Sequence, residues 1–301
     1  MQEFKRRHGD RSDGWLLRNV DPMFRLLPSL MRGRNESAVY FTYELDITET
    51  EQFMKEQRQT YPGLSYTHLF WAGIVRALAA YPQVNRFIAG RRVYARRFLR
   101  LSMTVKKIRN QAAKEYQIVE DFQPTDTLFE VAHKFDEKMT ELDTSEDQGN
   151  TTDRLINAVT GGPRFFLGFL VRFVRGLDYW GLVPDALAKA TPFFSSVYIS
   201  NMGSLGQDAV HHHLYEFGTT SMFVSFGKKR IVREIGADGQ PITRKRLTVK
   251  FVVDERICNG CYYAAALAAF KKVMEHPNML LTPPVELGVD TEIRKAVNAG
   301  V

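Results

Sequence analysis

The sequence predicts an α+β (mixed α/β) fold in which a mixed sheet is flanked by helices. Alternating apolar residues, typical of strands, occur at 38–47, 195–201, 221–227 and 247–253. Apolar residues at helical spacing occur at 67–81, 124–142 and 259–275. These strands and helices do not alternate as regular βαβ units, which argues against a Rossmann arrangement.

Local start and stop signals support each element. Thr48 or Thr50 is placed to cap a short helix that Pro62-Gly63 ends, Thr67 to cap the next helix and Thr127 a third. Two further strands are predicted at 92–105 and 116–122, with a turn around Asn110. Asp238-Gly239 predicts a hairpin turn between the last two strands.

Length and composition predict an ordinary globular protein. The chain has 301 residues, 44% of them hydrophobic and 25% charged. We predict a basic N-terminal arm (1–36), a catalytic-type domain (37–283) and a C-terminal tail (284–301). The sequence has no apolar run long enough for a spanning helix, no apolar signal segment and only two cysteines, so a cytoplasmic location is expected.

The net charge is +7, and basic residues gather in three places: the N-terminus, 91–109 and 228–246. Two interpretations remain open, solvated strand edges and turns or a surface for an anionic partner such as a phosphorylated cofactor or anionic lipid. Because no zinc-finger or RRM signature accompanies the charge, nucleic acid is not an expected partner.

The segment 163–177 (PRFFLGFLVRFVRGL) is strongly apolar but interrupted by arginines. It predicts a helix that is buried or faces another subunit. The alternative is a helix that lies on a membrane surface, since basic residues flank its apolar positions.

Four sequence blocks resemble one family, in the family's order. The block at 253–277 (VDERICNGCYYAAALAAFKKVMEHP) resembles the Asp-His-Arg-x-x-Asp-Gly signature of the 2-oxoacid dehydrogenase acyltransferases. Asp254, Arg256 and Gly260 match it, whereas Glu255 stands at the histidine position and Asn259 at the second aspartate position. The other blocks are YELDIT at 43–48, SYTHLFWAGIVRALAAYPQVN at 65–85 and YISNMG at 198–203.

This resemblance implies a chloramphenicol acetyltransferase-like fold that assembles as homotrimers, or as larger trimer-based assemblies. It also implies an active site in a channel between subunits, where an acyl group passes between coenzyme A and dihydrolipoamide. Ser200 would donate a hydrogen bond to the oxyanion. Residues 1–36 are too few for a lipoyl domain, so a lipoyl-bearing or other acyl-carrier protein would act in trans.

Glu255 decides how this chemistry would work. Transfer of a proton from a thiol of pKa near 8.5 to a histidine of pKa near 6.5 costs about 2.7 kcal/mol. Transfer to a glutamate of pKa near 4.3 costs about 5.7 kcal/mol. The difference of about 3 kcal/mol is roughly a hundredfold in rate. Burial of a glutamate in an apolar channel can recover most of it, but a carboxylate lacks the reach of an imidazole. Glu255 is therefore either a general base or a remnant of the motif, and Asn259 either an active-site amide or a helix N-cap.

Two further groups of residues have alternative interpretations. His211, His212 and His213 could supply the missing imidazole or bind a metal across subunits, or they could lie at a polar strand edge, where the outer two would share a face. Cys258 and Cys261 form a C-x-x-C pattern inside the motif, which favours packing over redox or zinc chemistry. We therefore expect no metal.

Three functions are compatible with these residues. The first is an acyltransferase whose site departs from the family pattern. The second is a catalytically inactive trimeric scaffold or shell, suggested by the missing histidine. The third is a membrane-associated accessory protein.

Overall fold

The computed structural model describes residues 5–106, 115–144 and 164–293. Nine strands occur in them: β1 (Gly14–Leu16), β2 (Ala38–Asp46), β3 (Arg86–Ala89), β4 (Arg92–Arg96), β5 (Leu99–Lys106), β6 (Glu115–Phe122), β7 (Val197–Asn201), β8 (Met222–Ile235) and β9 (Pro241–Asp254). The α-helices of the same residues are α1 (Pro22–Leu30), α2 (Thr48–Gln57), α3 (Tyr66–Ala80), α4 (Leu128–Thr144), α5 (Arg164–Trp180), α6 (Asp185–Ala190) and α7 (Gly260–Glu275).

The strands form two sheets. The large sheet has the order β2-β9-β8-β7-β5-β6, and the small sheet has the order β1-β4-β3. In the large sheet β7 runs parallel to both β5 and β8, while the other neighbours are antiparallel. This mixed sheet with packed helices confirms the predicted α+β class.

Helices cover one face of the large sheet, which we call the inner face. Helix α3 is the centre of this layer, because nearly every one of its residues is buried and it packs against both α4 and α7. Its Phe70 ring stacks on Phe226 of β8 with ring centroids 4.0 Å apart. Gly73 allows the close approach of α7, since a Cβ there would lie 2.7 Å from the Met274 sulfur.

The opposite, outer face of the sheet carries the alternate residues of each strand. Tyr198, Phe223 and Val252 form a small apolar cluster there with Leu214. Leu214 belongs to the extended segment 207–217, which crosses the outer face without pairing as a strand. The polar residues discussed below lie on this face.

Most predicted elements are confirmed, with shifted ends. The helix predicted to be capped by Thr67 is capped two residues earlier by Ser65, whose Oγ accepts from the His68 backbone N–H. The strand predicted at 92–105 is two strands, β4 and β5. The predicted Asn110 turn lies outside the described residues. The Asp238-Gly239 turn is confirmed, since the backbone N–H of Gly236 donates to the Gln240 carbonyl across it.

The N-terminal segment has more structure than the sequence pattern indicated. It contains β1 and α1, and its Trp15, Leu17 and Val20 are buried in the same core as the large sheet. In the C-terminal tail, the carboxylate of Asp290 forms a buried ion pair with Arg86. The domain boundaries at 37 and 283 stay a prediction, and residues on both sides of each boundary pack together.

None of the helices in the described ranges combines the length and the hydrophobicity needed to cross a bilayer.

An ionic cluster joins α2 to the β8–β9 hairpin. The carboxylate of Glu51 accepts from Tyr66 Oη at 2.7 Å, from Lys245 Nζ at 3.3 Å and from Lys229 Nζ. Partial burial opposes ionisation of Glu51, but these donors outweigh it and lower the pKa of Glu51 from 4.5 to about 2.

A Glu51→Gln variant is expected to unfold at lower urea concentration at pH 7, with a loss of about 1 kcal/mol because the cluster is partly exposed. Since the folded pKa is lowered, the wild type's advantage is complete above the unfolded value of 4.5 and declines as the pH falls towards about 2. Urea unfolding from pH 7 to pH 3 measures it, with the exposed Glu286→Gln as control. A difference independent of pH would contradict the assignment.

Candidate active site

The motif loop between β9 and α7 is built on a buried ion pair. Asp254 and Arg256 are both buried, and their side chains meet in a bidentate contact: Nε donates to Oδ1 at 2.8 Å and Nη2 donates to Oδ2 at 2.6 Å. The backbone N–H of Arg256 also donates to Asp254 Oδ1. These three bonds fold the loop tightly around residue 255, which lies between the two partners.

Neighbouring segments hold the loop from behind. Ser37 Oγ donates to Asp254 Oδ1 at 3.1 Å, and the Ser37 carbonyl accepts from the backbone N–H of Glu255. Tyr263 Oη donates to the Asp254 carbonyl at 2.8 Å. Arg256 Nη1 donates to the carbonyls of Met31 and Arg32. The end of the N-terminal segment is therefore part of the structure that positions the loop.

Glu255 is exposed, in contrast to its two neighbours. The loop directs its side chain away from the core, and this chain alone does not bury it. Burial of its carboxylate, which would help it act as a base towards a thiol, requires another molecule.

Asn259 is the N-cap of α7, as one of the two predicted interpretations stated. Its Oδ1 accepts from the backbone N–H of Tyr262 at 2.8 Å. The Asn259 side chain is exposed, so the amide that caps α7 is also accessible to a molecule that binds beside the loop of Glu255. Gly260 follows it, and a Cβ there would meet no atom within 4 Å. Packing within the chain therefore does not explain glycine at this position, and open space lies in front of it.

Ser200 is half-buried on the outer face, near the end of β7. Within the described part of the chain we find no hydrogen-bond partner for its hydroxyl. The next residue, Asn201, points to the inner face, where its Nδ2 donates to Thr67 Oγ1. Gly203 then allows a backbone contact, since a Cβ there would lie 2.5 Å from the Gly227 carbonyl oxygen. The turn after β7 is thus fixed, while the Ser200 hydroxyl is left available.

Strand pairing separates Ser200 from Glu255 within one chain. Ser200 pairs with Ser225, Ser225 pairs with Lys250, and Glu255 follows Lys250 by five residues. At about 4.8 Å between strands and about 3.3 Å per residue, the two are about 20 Å apart. Groups that act on one reacting carbonyl must lie within about 3–3.5 Å of the reacting atoms. The two residues of a single chain therefore cannot serve the same substrate.

The histidine triplet does not lie on a strand edge, in contrast to one interpretation of the sequence. His211, His212 and His213 belong to the extended segment that crosses the outer face. The His212 ring stacks on Phe223 with centroids 4.2 Å apart, and its Nδ1 lies 2.8 Å from the His213 carbonyl. The N–H of Val210 donates to Ser225 Oγ, and the N–H of Leu214 donates to Asn35 Oδ1, so side chains and not a strand ladder hold this part of the segment.

His211 shares a row of the outer face with Ser200. Its Nε2 lies 3.1 Å from Thr42 Oγ1, and the row runs Thr42, Lys250, Ser225, Ser200 across four strands. Burial, followed by the nearby Lys250 charge, lowers the pKa of His211 below 6.5, which favours the neutral ring. Three strand spacings, or about 14 Å, separate Thr42 from Ser200. His211 lies at Thr42, so it does not contact Ser200 either.

The two cysteines of the C-x-x-C pattern are not paired. Cys258 is buried and Cys261 is exposed, and burial raises the pKa of the Cys258 thiol to about 12. This arrangement fits the packing interpretation, because a thiol with such a pKa is unreactive. Among residues 5–106, 115–144 and 164–293, no three His, Cys, Asp or Glu side chains are grouped so as to hold a metal ion.

Several supporting residues could not be identified from the sequence. Ser37 and the Met31 carbonyl contact the motif only because β2 pairs with β9 and the N-terminal segment returns to the loop. Tyr263 contacts it from the first turn of α7. One local signal was present for α1: Asp21-Pro22 is a typical N-cap and first-turn proline, and Asp21 Oδ1 accepts from the Met23 N–H.

Comparisons with known proteins identify the fold. No family model and no curated protein matches the sequence. The structure is similar to the dihydrolipoamide acetyltransferase (E2p) of Azotobacter vinelandii, with TM-score 0.56 and 15% identity over 86% of this chain and 88% of that chain. The cubic core of a pyruvate dehydrogenase multienzyme complex gives TM-score 0.55 and 16% identity over 86% and 88%. A chloramphenicol acetyltransferase gives TM-score 0.53 and 12% identity over 87% of this chain and 98% of that chain.

The chain thus has the fold of the 2-oxoacid dehydrogenase acyltransferase cores and of chloramphenicol acetyltransferase, as the sequence blocks predicted. The catalytic mechanism of the Azotobacter enzyme involves a serine, a histidine and an asparagine. Its histidine and asparagine are four residues apart, and its serine precedes the histidine by 52 residues.

Proposed function

We infer that this protein is an acyltransferase that assembles as a homotrimer and moves an acyl group to or from coenzyme A at a site shared by two subunits. In each site Glu255 of one chain acts as the general base, and Ser200 of a neighbouring chain stabilises the oxyanion. Asn259 caps α7 beside Glu255 and keeps its amide in the channel.

The observation that carries this proposal is the intact loop around an exposed Glu255. A buried ion pair costs desolvation energy and is a weak source of stability, so its main effect here is to fix the shape of the loop. The same loop leaves Glu255 exposed and open space in front of Gly260. A protein that kept only its fold would not require residue 255 to be presented in this way.

The sequence spacing supports the assignment of roles. In this chain Asn259 follows Glu255 by four residues and Ser200 precedes it by 55. These spacings are close to those of the serine, histidine and asparagine in the Azotobacter enzyme. On this proposal Ser200 and Asn259 take the roles of that enzyme's serine and asparagine, and Glu255 takes the role of its histidine.

The separation of about 20 Å within a chain supports a shared site. Ser200 lies on the outer face and Glu255 at the far end of the sheet, and both remain accessible in one chain. A cyclic assembly repeats one interface, so each copy would offer its Ser200 to one neighbour and its Glu255 to the other.

The proposed reaction moves one proton and one acyl group. The Glu255 carboxylate takes the proton from an acceptor thiol, and the thiolate attacks the thioester carbonyl carbon of the donor. Ser200 Oγ donates a hydrogen bond to the resulting oxyanion. The carbon–sulfur bond to the donor then breaks, and the departing thiolate receives the proton from Glu255.

The proposed substrates are coenzyme A and an acyl-carrier protein. Coenzyme A is one thiol, and its phosphates fit a protein of net charge +7 whose outer face carries Lys250 in the row of Ser200. A lipoyl-bearing or other acyl-carrier protein supplies the second thiol in trans.

A second candidate function is a catalytically inactive trimeric scaffold. It is favoured by one feature of the sequence, the glutamate at residue 255, where the signature that the motif resembles has histidine. A scaffold would assemble in the same way but would transfer no acyl group.

Sedimentation velocity and a transfer assay test the proposal together. The assay follows acyl exchange between coenzyme A and dihydrolipoamide with a panel of short and branched acyl donors. We expect a trimer or a multiple of it, with turnover above the uncatalysed rate for at least one donor. A trimer without turnover for any donor would favour the scaffold, and a monomer would contradict the shared site.

A further inference from the structure

Helix α5 is almost unburied along its whole described length. Among its described side chains none is buried, and a Cβ at Gly168 or Gly176 would meet no atom within 4 Å. The helix is attached mainly at its C-terminal end, where Asp178 pairs with Arg11 and Leu177 packs beside Val183. The rest of the helix projects from the protein.

The helix has three sectors around its axis. At 100° per residue, Leu170, Val174 and Leu177 share one side of the helix, and these residues are half-buried. Four aromatic residues occupy an adjacent exposed arc: Phe165, Phe169, Phe173 and Trp180. Their exposed fractions are 79%, 64%, 53% and 76%. Four exposed aromatic rings on one arc are unusual on a monomeric protein and mark an interaction surface.

Positive charge borders the aromatic arc. Arg172 and Arg175 are exposed along the edge of this arc that lies away from the half-buried side of the helix. We find no carboxylate partner for either arginine within the described residues. The helix's acidic residue, Asp178, is already paired with Arg11. The exposed Arg91 lies near its C-terminal end, since a Cβ at Gly90 would lie 2.5 Å from the Tyr179 carbonyl. The whole surface is apolar, aromatic and basic.

We propose that this surface of α5, formed by Phe165, Phe169, Phe173 and Trp180 with Arg172 and Arg175, binds anionic lipid bilayers at the headgroup level. The aromatic rings would enter the boundary between headgroups and acyl chains, and the arginines would contact lipid phosphates. Trp180 and Tyr179, at one end of the helix, are residue types that prefer this interface.

A second copy of the chain is a poorer occupant for this surface. Pairing two copies of α5 across a two-fold axis would bring the arginines of both copies together, and like charges across an interface disfavour binding. An anionic bilayer supplies the opposite charge and an apolar layer at once. This binding is independent of acyl transfer, because the surface includes none of the residues proposed for catalysis.

Trp180 provides a native signal for the test. The chain has three tryptophans, of which Trp15 and Trp71 are 6% and 0% exposed, so only Trp180 can report contact with lipid. The 301-residue protein is mixed with phosphatidylcholine vesicles that contain or lack phosphatidylglycerol. Flotation measures binding, and a blue shift with quenching by brominated acyl chains measures the depth of Trp180.

We expect binding and a blue shift with phosphatidylglycerol, and at least tenfold weaker binding without it. The double variant Arg172→Gln with Arg175→Gln should bind anionic vesicles about 25-fold more weakly, about fivefold for each arginine. Phe169→Ser with Phe173→Ser should lose at least about tenfold while Trp180 remains as reporter. The control Ile231→Ser with Ile235→Ser removes side chains of similar exposure, 72% and 73%, from the β8–β9 hairpin and should bind like the wild type.

Other results would overturn the proposal. These are equal binding with and without phosphatidylglycerol, no binding to either vesicle, or equal losses in the hairpin control. Concentration-dependent self-association that the Phe169→Ser with Phe173→Ser variant abolishes, without vesicle binding, would assign the surface to a second copy instead. Circular dichroism of each variant verifies that all of them fold.

Discussion

Replacing Glu255 by glutamine is expected to lower the rate of acyl transfer by a factor of about 10²–10⁴, the usual contribution of a general base. Glutamine keeps the size of the side chain but cannot take the thiol proton. Because Glu255 is exposed, folding and assembly should not change. Glu255→His should instead raise the rate, by a factor of at most roughly one hundred. A histidine reduces the cost of deprotonating a thiol by about 3 kcal/mol, and burial of a glutamate in the channel already recovers part of this difference. Steady-state transfer with the best donor measures both variants.

Two control variants test whether Glu255 itself is the base. Glu286→Gln removes another exposed glutamate and should leave transfer unchanged. His211→Asn should also leave it unchanged. A loss with His211→Asn and none with Glu255→Gln would show that His211 is the base. No turnover in the wild type, together with turnover in Glu255→His, would show that the substrate channel is intact but lacks a general base.

Replacing Arg256 by methionine is expected to destabilise the protein by about 3–5 kcal/mol, because it leaves the buried Asp254 carboxylate without its partner. The loop that presents Glu255 should lose its shape, so transfer should fall as well. Urea unfolding and the transfer assay measure the two effects on one preparation.

The half-exposed Arg244 provides a matched control, since Arg244→Met breaks a partly exposed ion pair with Asp46. We expect a loss below about 1 kcal/mol for it. The double variant Asp254→Asn with Arg256→Met should recover part of the stability, because the unpaired charge is gone, but not the activity. Equal losses for Arg256→Met and Arg244→Met would contradict the role given to the buried pair.

The regular elements of the core could be predicted because their apolar periodicity reflects burial directly. Helix α7 is an example: Asn259-Gly260 marks its start, and Leu267, Phe270 and Val273 pack inside. The N-terminal segment was not predicted because β1 has three residues and α1 has nine, with Pro28 within it. Such short elements are stabilised by tertiary contacts, such as the pairing of β1 with β4, that no local pattern contains.

The site could be predicted only in part. The motif at 254–260 and Ser200 were identified from residue patterns, and the structure adds that Asp254 and Arg256 support the loop from inside. The distance between Ser200 and Glu255 depends on the register of three strands, which the sequence does not show. The triplet at 211–213 has no periodicity, and its conformation depends on side-chain bonds from distant residues such as Asn35.

The shared site is tested most directly by mixing two inactive variants, Ser200→Ala and Glu255→Gln. Subunits are exchanged by co-refolding equal amounts, and differently tagged chains allow native mass spectrometry to verify that mixed trimers form. If each site takes Ser200 from one chain and Glu255 from the next, about a quarter of the sites carry both groups, and about a quarter of the wild-type rate returns. Mixed trimers without any recovered transfer would contradict a site built from two subunits.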